Sequence, residues 1–376
     1  MLERAMYAVD RHTFDRPLSV VVAGGGTGGH LFPGIALAGE FMRRQANSRI
    51  LFVGAGRPME HEALARAGFA LRTIAIEGIK GRGLTAKLKA VMKIPGAVWR
   101  SATILTEAGA DLMIGMGGYA AGPVALAARL KGIPVVLCEQ NTVPGITNRI
   151  LLPLAKRIYI SFENTVGRIA ASKRRLTGNP VRQRIREASE CPVQPSDVLT
   201  VLVVGGSQGA HAINEAMVAA STRVKYPMHI IHQTGSQDCN AVARAYKDAG
   251  ITAEVQAFFH DMATRYQRAD LVICRAGATT VAELTVLGKP AILIPYPFAA
   301  DNHQERNAAS MVDNGAAQMI RERDLSAGDL ARRLEKLIQA PHELTAMAAR
   351  SRMLGKPGAA AVIVDDCYEL LGEPCT

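Results

Sequence analysis

Apolar and polar positions alternate along this chain in two rhythms. Short runs rich in Val, Ile and Leu recur at Leu18–Ala23, Ile50–Val53, Leu71–Ile76, Leu112–Gly115, Val135–Cys138 and Arg157–Ile160. Longer stretches with helical spacing lie between them, such as Pro33–Gln45, with Pro33 as a first-turn proline, and Thr85–Thr106. From Ala171 to Val198 the pattern lapses into a polar, basic segment with three prolines, which predicts an interdomain linker. The alternation restarts at Leu199. Further strand-like runs follow at His229–His232, Ala253–Phe258, Leu271–Cys274 and Ala291–Ile294, and Gly358–Leu371 has helical spacing. Short buried strands separated by helices predict βαβ units and parallel sheets.

Two of these openings are near copies. Residues 18–30 read LSVVVAGGGTGGH and residues 199–211 read LTVLVVGGSQGAH, aligned without a gap. Each is a valine-rich strand, a glycine turn and the start of a helix. The repeat predicts an α/β chain of two Rossmann-like domains whose parallel sheets face a central cleft. The boundaries read as an N-terminal extension over 1–17, one domain over 18–180, a second over 181–355, and a C-terminal helix over 356–376. Packing back on the first domain is one of the two options open to that helix.

Length agrees, since 376 residues suffice for two domains at roughly 150 residues each. Lys and Arg number 44 against 33 Asp and Glu. That surplus points to an anionic partner without choosing between a phosphorylated ligand, nucleic acid and an anionic bilayer. The six cysteines form no CxxC pair, and Cys138 and Cys274 fall inside apolar runs, as expected of reduced thiols. No apolar run approaches the ~20 residues of a membrane-spanning helix, so the expectation is a soluble or membrane-peripheral protein.

A strand–glycine–helix turn aims backbone N–H groups and the positive end of a helix dipole at one point, which suits phosphate. Gly24, Gly26 and Gly29 match GxGxxG, yet the second strand ends in LFVGAGRP, without the carboxylate a dinucleotide ribose requires; Glu60 and Glu62 fall on the next helix. That counts against a nicotinamide cofactor. His30 follows the first loop at a helix start, where the dipole favours a neutral ring able to accept a proton; a structural, turn-packing His is the equal alternative. His211 is its counterpart in the second half and reads as structural. In CRAGATTVAEL (274–284), Arg275 and the following turn suit a diphosphate, and Glu283 suits a ribose diol. In PYPFAADNHQERN (295–307), His303 and Gln304 suit sugar hydroxyls. No DxD triplet occurs among the aspartates, so diphosphate charge falls to arginine and helix N-termini, with no metal and no cofactor expected.

Together AGGGTGGHLFPG, CEQNTVPG (138–145), GNPVR (178–182), GGSQGA (205–210), CRAGATTVAEL and YPFAADNHQERNA resemble the bacterial MurG-type N-acetylglucosaminyltransferases, over nearly the whole chain from Leu18. The resemblance implies a GT-B fold, with UDP-GlcNAc as donor on the second domain. It implies lipid I, the undecaprenyl-diphosphate-linked MurNAc-pentapeptide, as acceptor on the first, and lipid II as product. Carried over by motif, His30 is the catalytic base. Thr27, Gly28, Gly29, Asn141, Arg182, Ser207, Phe259, Met262, Ala278, Thr279, Thr280, Val281, Ala282, Glu283, His303 and Gln304 line the donor, with Phe259 and Met262 at the uracil. Some members carry glutamine where this chain has His303.

An isoprenoid acceptor implies contact with a bilayer. Residues 79–100 carry six basic side chains interleaved with apolar ones. Lys80, Leu84, Lys87, Leu88, Lys89, Met92, Lys93 and Trp99 are therefore the expected contacts with an anionic phospholipid surface, at the cytoplasmic face of the inner membrane. A helix packed on its own sheet with a solvated basic face is the alternative. Nucleic acid is not an expected partner. The rival functions are a GT-B enzyme acting on another lipid, a UDP-GlcNAc 2-epimerase, and a nicotinamide oxidoreductase.

Overall fold

The apolar runs become the strands of two separate parallel sheets. The structure, a computed structural model, describes residues 16–76, 92–190, 198–206 and 209–372. One sheet holds β1 (Ser19–Gly24), β2 (Arg49–Gly54), β3 (Ala70–Thr73), β4 (Leu112–Gly117), β5 (Val135–Glu139), β6 (Arg157–Ile160) and β7 (Arg174–Leu176), in the order 3-2-1-4-5-6-7. The other holds β8 (Leu199–Val204), β9 (Met228–Gln233), β10 (Ala253–Gln256), β11 (Leu271–Cys274), β12 (Ala291–Leu293) and β13 (Ala317–Met319), in the order 10-9-8-11-12-13. The second order repeats the first six strands of the first. In each sheet the strand order reverses between the opening strand and the fourth. Ligands of open α/β sheets bind at that switch, outside the carboxyl ends of the strands.

The helices are α1 (Gly28–Arg44), α2 (Pro58–Ala67), α3 (Ile94–Ala108), α4 (Ala121–Leu130), α5 (Ile146–Leu151), α6 (Gln183–Glu190), α7 (His211–Ser221), α8 (Cys239–Asp248), α9 (Met262–Arg268), α10 (Ala278–Leu287), α11 (His303–Val312), α12 (Ala327–Gln339), α13 (Pro341–Met353) and α14 (Ala359–Leu370). Helices cover both faces of the first sheet, which is why its strands read as continuous apolar runs. Val20 and Val22 of β1 point into a core shared with Leu37, Phe41 and Tyr368. Val21 and Ala23 point into the opposite core, with Ile104, Leu105 and Val124.

The chain forms two compact units. One runs to Arg182 and regains the segment from Pro357; the other is Gln183–Lys356. α14 therefore belongs to the first unit, where Ile363, Val364, Cys367 and Tyr368 are fully buried.

Two expectations are corrected, and one strand was missed. The segment expected as a linker contains β7 and α6. β7 is a three-residue edge strand, and α6 buries only Ile185 and Ala188. Neither needs a long apolar run, so neither leaves a strong pattern. α1 starts at Gly28, capped by Thr27, so Pro33 lies in its second turn. A proline there removes one donor close to an end where several have no helical partner. The edge strand β13 left no signal of its own.

Candidate active site

In the first unit the site forms where β1 and β4 end side by side. Gly24 pairs with Gly117, and a Cβ on Gly24 would lie 2.8 Å from the Gly117 carbonyl. The two turns interlock because both are bare. The loop is held from below by Glu60, in the first turn of α2 and 1% exposed. Its carboxylate accepts the N–H groups of Gly26 (2.6 Å), Gly56 (2.7 Å) and Arg57 (3.1 Å). Arg57 in turn donates to the Gly26 carbonyl at 2.7 Å. A Cβ on Gly25 would overlap Glu60 Oε1, at 2.2 Å. Sequence reasoning gave Glu60 no such part.

His30 is the third residue of α1 and half-buried. Its Nδ1 lies 3.3 Å from the Gly25 carbonyl and 3.5 Å from Thr27 Oγ1. A carbonyl can only accept, so Nδ1 carries a proton in that bond; in the neutral ring Nε2 then holds the lone pair. The Nε2 edge faces Gly117, where a Cβ would sit 3.0 Å from that nitrogen. The same point is 3.8 Å from Asn148 Nδ2. Asn148, from α5, is buried and donates to the Cys138 carbonyl (3.0 Å) and to Glu139 Oε2 (2.8 Å). Glu139 is also buried, which pushes its pKa up. Bonds from Asn141 N–H, Asn148 and Gly145 N–H act against that rise and fold the loop that carries Asn141. The Arg182 guanidinium stacks over the Phe32 ring of α1, 4.8 Å from its centre. The first unit thus gathers Thr27, Gly28, Gly29 and His30 beside Gly117 and Asn148, with Arg182 on the flank of α1.

In the second unit, Gly205 and Gly206 turn the chain after β8, and Ser207 lies outside the described residues. His211 opens α7, with Nδ1 3.0 Å from Asp238 and Nε2 3.2 Å from Glu215; the hydrogen bond to Asp238 raises its pKa. Arg275, at the end of β11, was expected to meet a diphosphate. In the structure it pairs with Glu322 at 2.5 Å, donates to the Ile294 and Pro295 carbonyls, and lies over the Tyr296 ring. These contacts brace the loop after β12.

That loop leads into α11, which opens with His303, whose Nδ1 donates to the Ala300 carbonyl at 2.7 Å, and Gln304, whose Oε1 accepts the Tyr296 N–H at 3.0 Å. Just before them Asp301 and Asn302 adopt φ of 54° and 52°, a conformation uncommon outside glycine. Gly277 caps α10, whose first six residues are Ala278, Thr279, Thr280, Val281, Ala282 and Glu283. Glu283, expected at the ribose, is only 4% exposed, in the second turn of α10. The side chains of Phe259 and Met262 also face inward, and the Arg265 guanidinium covers the Phe259 ring at 4.6 Å. Among the described residues no group of three or more His, Cys, Asp or Glu side chains is placed to hold a metal ion.

Of the expected membrane contacts, Lys80, Leu84, Lys87, Leu88 and Lys89 lie outside the described residues. Met92 and Trp99 are more than 70% exposed, and Lys93 is exposed beside them.

Family models match both halves of this arrangement: the glycosyltransferase family 28 N-terminal domain over residues 20–160 and the C-terminal domain over 200–363. The chain belongs to glycosyltransferase family 28. Within that family it is 44% identical over 355 residues to a Syntrophus aciditrophicus protein named UDP-N-acetylglucosamine--N-acetylmuramyl-(pentapeptide) pyrophosphoryl-undecaprenol N-acetylglucosamine transferase. The match covers 94% of this chain and 98% of that one. A Myxococcus xanthus protein of the same name is 43% identical over 357 residues, with 94% and 93% covered. Among solved structures, Acinetobacter baumannii MurG is similar, with a TM-score of 0.76, 34% identity, and 93% of this chain and 99% of that one covered. A Neisseria meningitidis UDP-GlcNAc 2-epimerase shares the fold at a TM-score of 0.66 and 13% identity, with 93% and 99% covered. The expected α/β fold with two parallel sheets and the expected MurG-type membership are both borne out.

Proposed function

We propose that this chain is an inverting glycosyltransferase that moves GlcNAc from UDP-GlcNAc to the C4 hydroxyl of MurNAc in lipid I, giving lipid II. The observation that carries this reading is identity of 43–44% with enzymes of that name along almost the whole chain. The seating of His30 supports the chemistry. With its proton held on Nδ1 toward the Gly25 carbonyl, Nε2 takes the proton of the C4 hydroxyl. The hydroxyl oxygen forms a bond to the anomeric carbon as the bond from that carbon to UDP breaks on the opposite face. An α-linked donor then yields a β-1,4 linkage.

In this reading the first unit binds the acceptor and the second the donor. The charge of the leaving diphosphate is met by the N-terminal turn of α10 and by Arg182. Arg275 holds the loop that leads from Tyr296 to Gln304 in place. Gly26 N–H is taken by Glu60, so a phosphate at the first loop is met by the first turn of α1, at Thr27, Gly28 and Gly29. On motif position Asn141 and Ser207 contact the donor and Gln304 its GlcNAc. The reaction is assigned to the chain's own residues, without a metal or cofactor. The site of action is the cytoplasmic face of the inner membrane, reached through a peripheral contact of the first unit.

The test is UDP release from UDP-GlcNAc with and without a lipid I analogue. Release that depends on the acceptor and yields a disaccharide is expected; epimer formation from the donor alone overturns the reading. In the same assay His30→Ala lowers kcat by about 10²–10⁴-fold, the usual contribution of a general base, while UDP-GlcNAc still binds. Loss of donor binding in that variant would return His30 to a structural role.

A further inference from the structure

The end of β9 holds a side chain that no motif singled out. Gln233 is the last residue of that strand and 3% exposed. β9 lies between β8 and β10 in the sheet, so its end is flanked by the loops that leave both neighbours. The Gln233 amide spans them. Its Nε2 donates to the carbonyl of Gly206, in the glycine loop after β8, at 3.3 Å. Its Oε1 accepts the N–H of Phe259, in the loop after β10, at 2.9 Å. The backbone carbonyl of Gln233 takes a third bond, from Gly205 N–H at 3.3 Å. The amide cannot be turned over without setting its NH₂ against an N–H and its oxygen against a carbonyl.

The described residues around these bonds are closely set. Gly206 sits at φ 87°, and a Cβ on Gly209 would lie 2.5 Å from the Thr234 carbonyl. On the other side the Phe259 ring is buried beneath Arg265, which Glu254 and Asp261 hold in turn. A donor nucleotide lying across the carboxyl ends of β8 and β10 must therefore span a distance that one buried amide sets.

We infer that Gln233 is a positioning residue of the donor site, fixing Gly205 and Gly206 at the end of β8 against the Phe258–Phe259 peptide and so the span offered to a nucleoside diphosphate. The inference rests on the reading of the second unit as the donor-binding unit. Glutamate in its place keeps the shape and the bond from Phe259 N–H but sets a carboxylate oxygen against the Gly206 carbonyl. Alanine leaves both buried partners unmet.

The test compares wild type with Gln233→Glu, Gln233→Asn and Gln233→Ala in steady-state kinetics and in UDP-induced thermal shift. KM for UDP-GlcNAc rises about 10–100-fold, the range for leaving a buried hydrogen-bonding group unsatisfied. KM for the lipid I analogue stays within about threefold, which is small beside that range. The preference for UDP-GlcNAc over CDP-GlcNAc narrows, and the thermal shift produced by UDP shrinks. A general loss of folding would move both KM values, or the melting point without ligand, and would leave base preference alone. If Gln233→Ala does not fold, the isosteric Gln233→Glu decides. Variants with wild-type donor KM and base preference overturn the inference. A wild-type protein whose melting point UDP does not move overturns the donor-site reading and this inference with it.

Discussion

Gly117 leaves room for the His30 ring. Its φ is 92°, and a Cβ there would sit 3.0 Å from His30 Nε2 and 3.1 Å from Cδ2. Alanine must push the ring away from its seat against the Gly25 carbonyl. Gly117→Ala is therefore expected to lower kcat about 10–100-fold, as displacement of a reacting group by about 1 Å does, with donor KM nearly unchanged. In a His30→Ala background the same change should lose almost nothing more, because there is no ring left to displace. Additive losses in that cycle would mean that Gly117 acts on the backbone alone. His30 was legible in the sequence because it adjoins the loop it serves. The bond from Gly26 to Glu60 and the bonds of Gln233 were not, because those partners lie 34, 27 and 26 residues away and meet only once the sheets have formed. The Arg275–Glu322 pair was hidden for a related reason: an arginine at a strand end suits a diphosphate, and nothing local reveals the carboxylate beside it.

At the scale of elements, α14 closes the first unit. Its Tyr368 ring lies 6.1 Å from Phe41 of α1, and Asp365 pairs with the buried Arg44 at 2.9 Å. Asp366 accepts the Tyr159 hydroxyl of β6 at 2.7 Å. On the α1 side Glu40 also bonds Arg43 and Arg44. Burial alone would raise its pKa, but these two arginines outweigh burial and hold it below the usual carboxylate range. Ile363 is fully buried in this junction, so Ile363→Ala should destabilise the first unit by about 2–5 kcal/mol, the range for truncating a buried aliphatic side chain. Chemical denaturation would measure it, and an unchanged midpoint would mean that α14 contributes little. The helix itself was legible from its spacing, but its choice of unit was not. Periodicity reports which face is apolar and says nothing of which core receives it.

At the scale of the whole molecule, the fold class was legible because the chain writes its opening strand and loop twice, and the two sheets repeat one strand order. The anionic partner implied by the +11 charge now has an apolar companion. Met92 and Trp99 at α3, Leu126 and Leu130 on α4, and Ile146 and Ile150 on α5 are all exposed in the first unit, on helices packed in series. Binding to anionic vesicles is expected, weaker as salt rises. Trp99→Ala combined with Lys93→Glu should release the protein into the supernatant; a combined variant that still sediments with the vesicles would remove this face from the membrane contact. The return of α14 to the first unit also sets an order of assembly. The second unit is one unbroken insertion, Gln183–Lys356, and a ribosome finishes it before it makes the last helix of the first. Until then Phe41 and its neighbours on α1 have no cover from α14. The unit begun first is completed last, and only the inserted one could be exchanged between relatives as a single cassette.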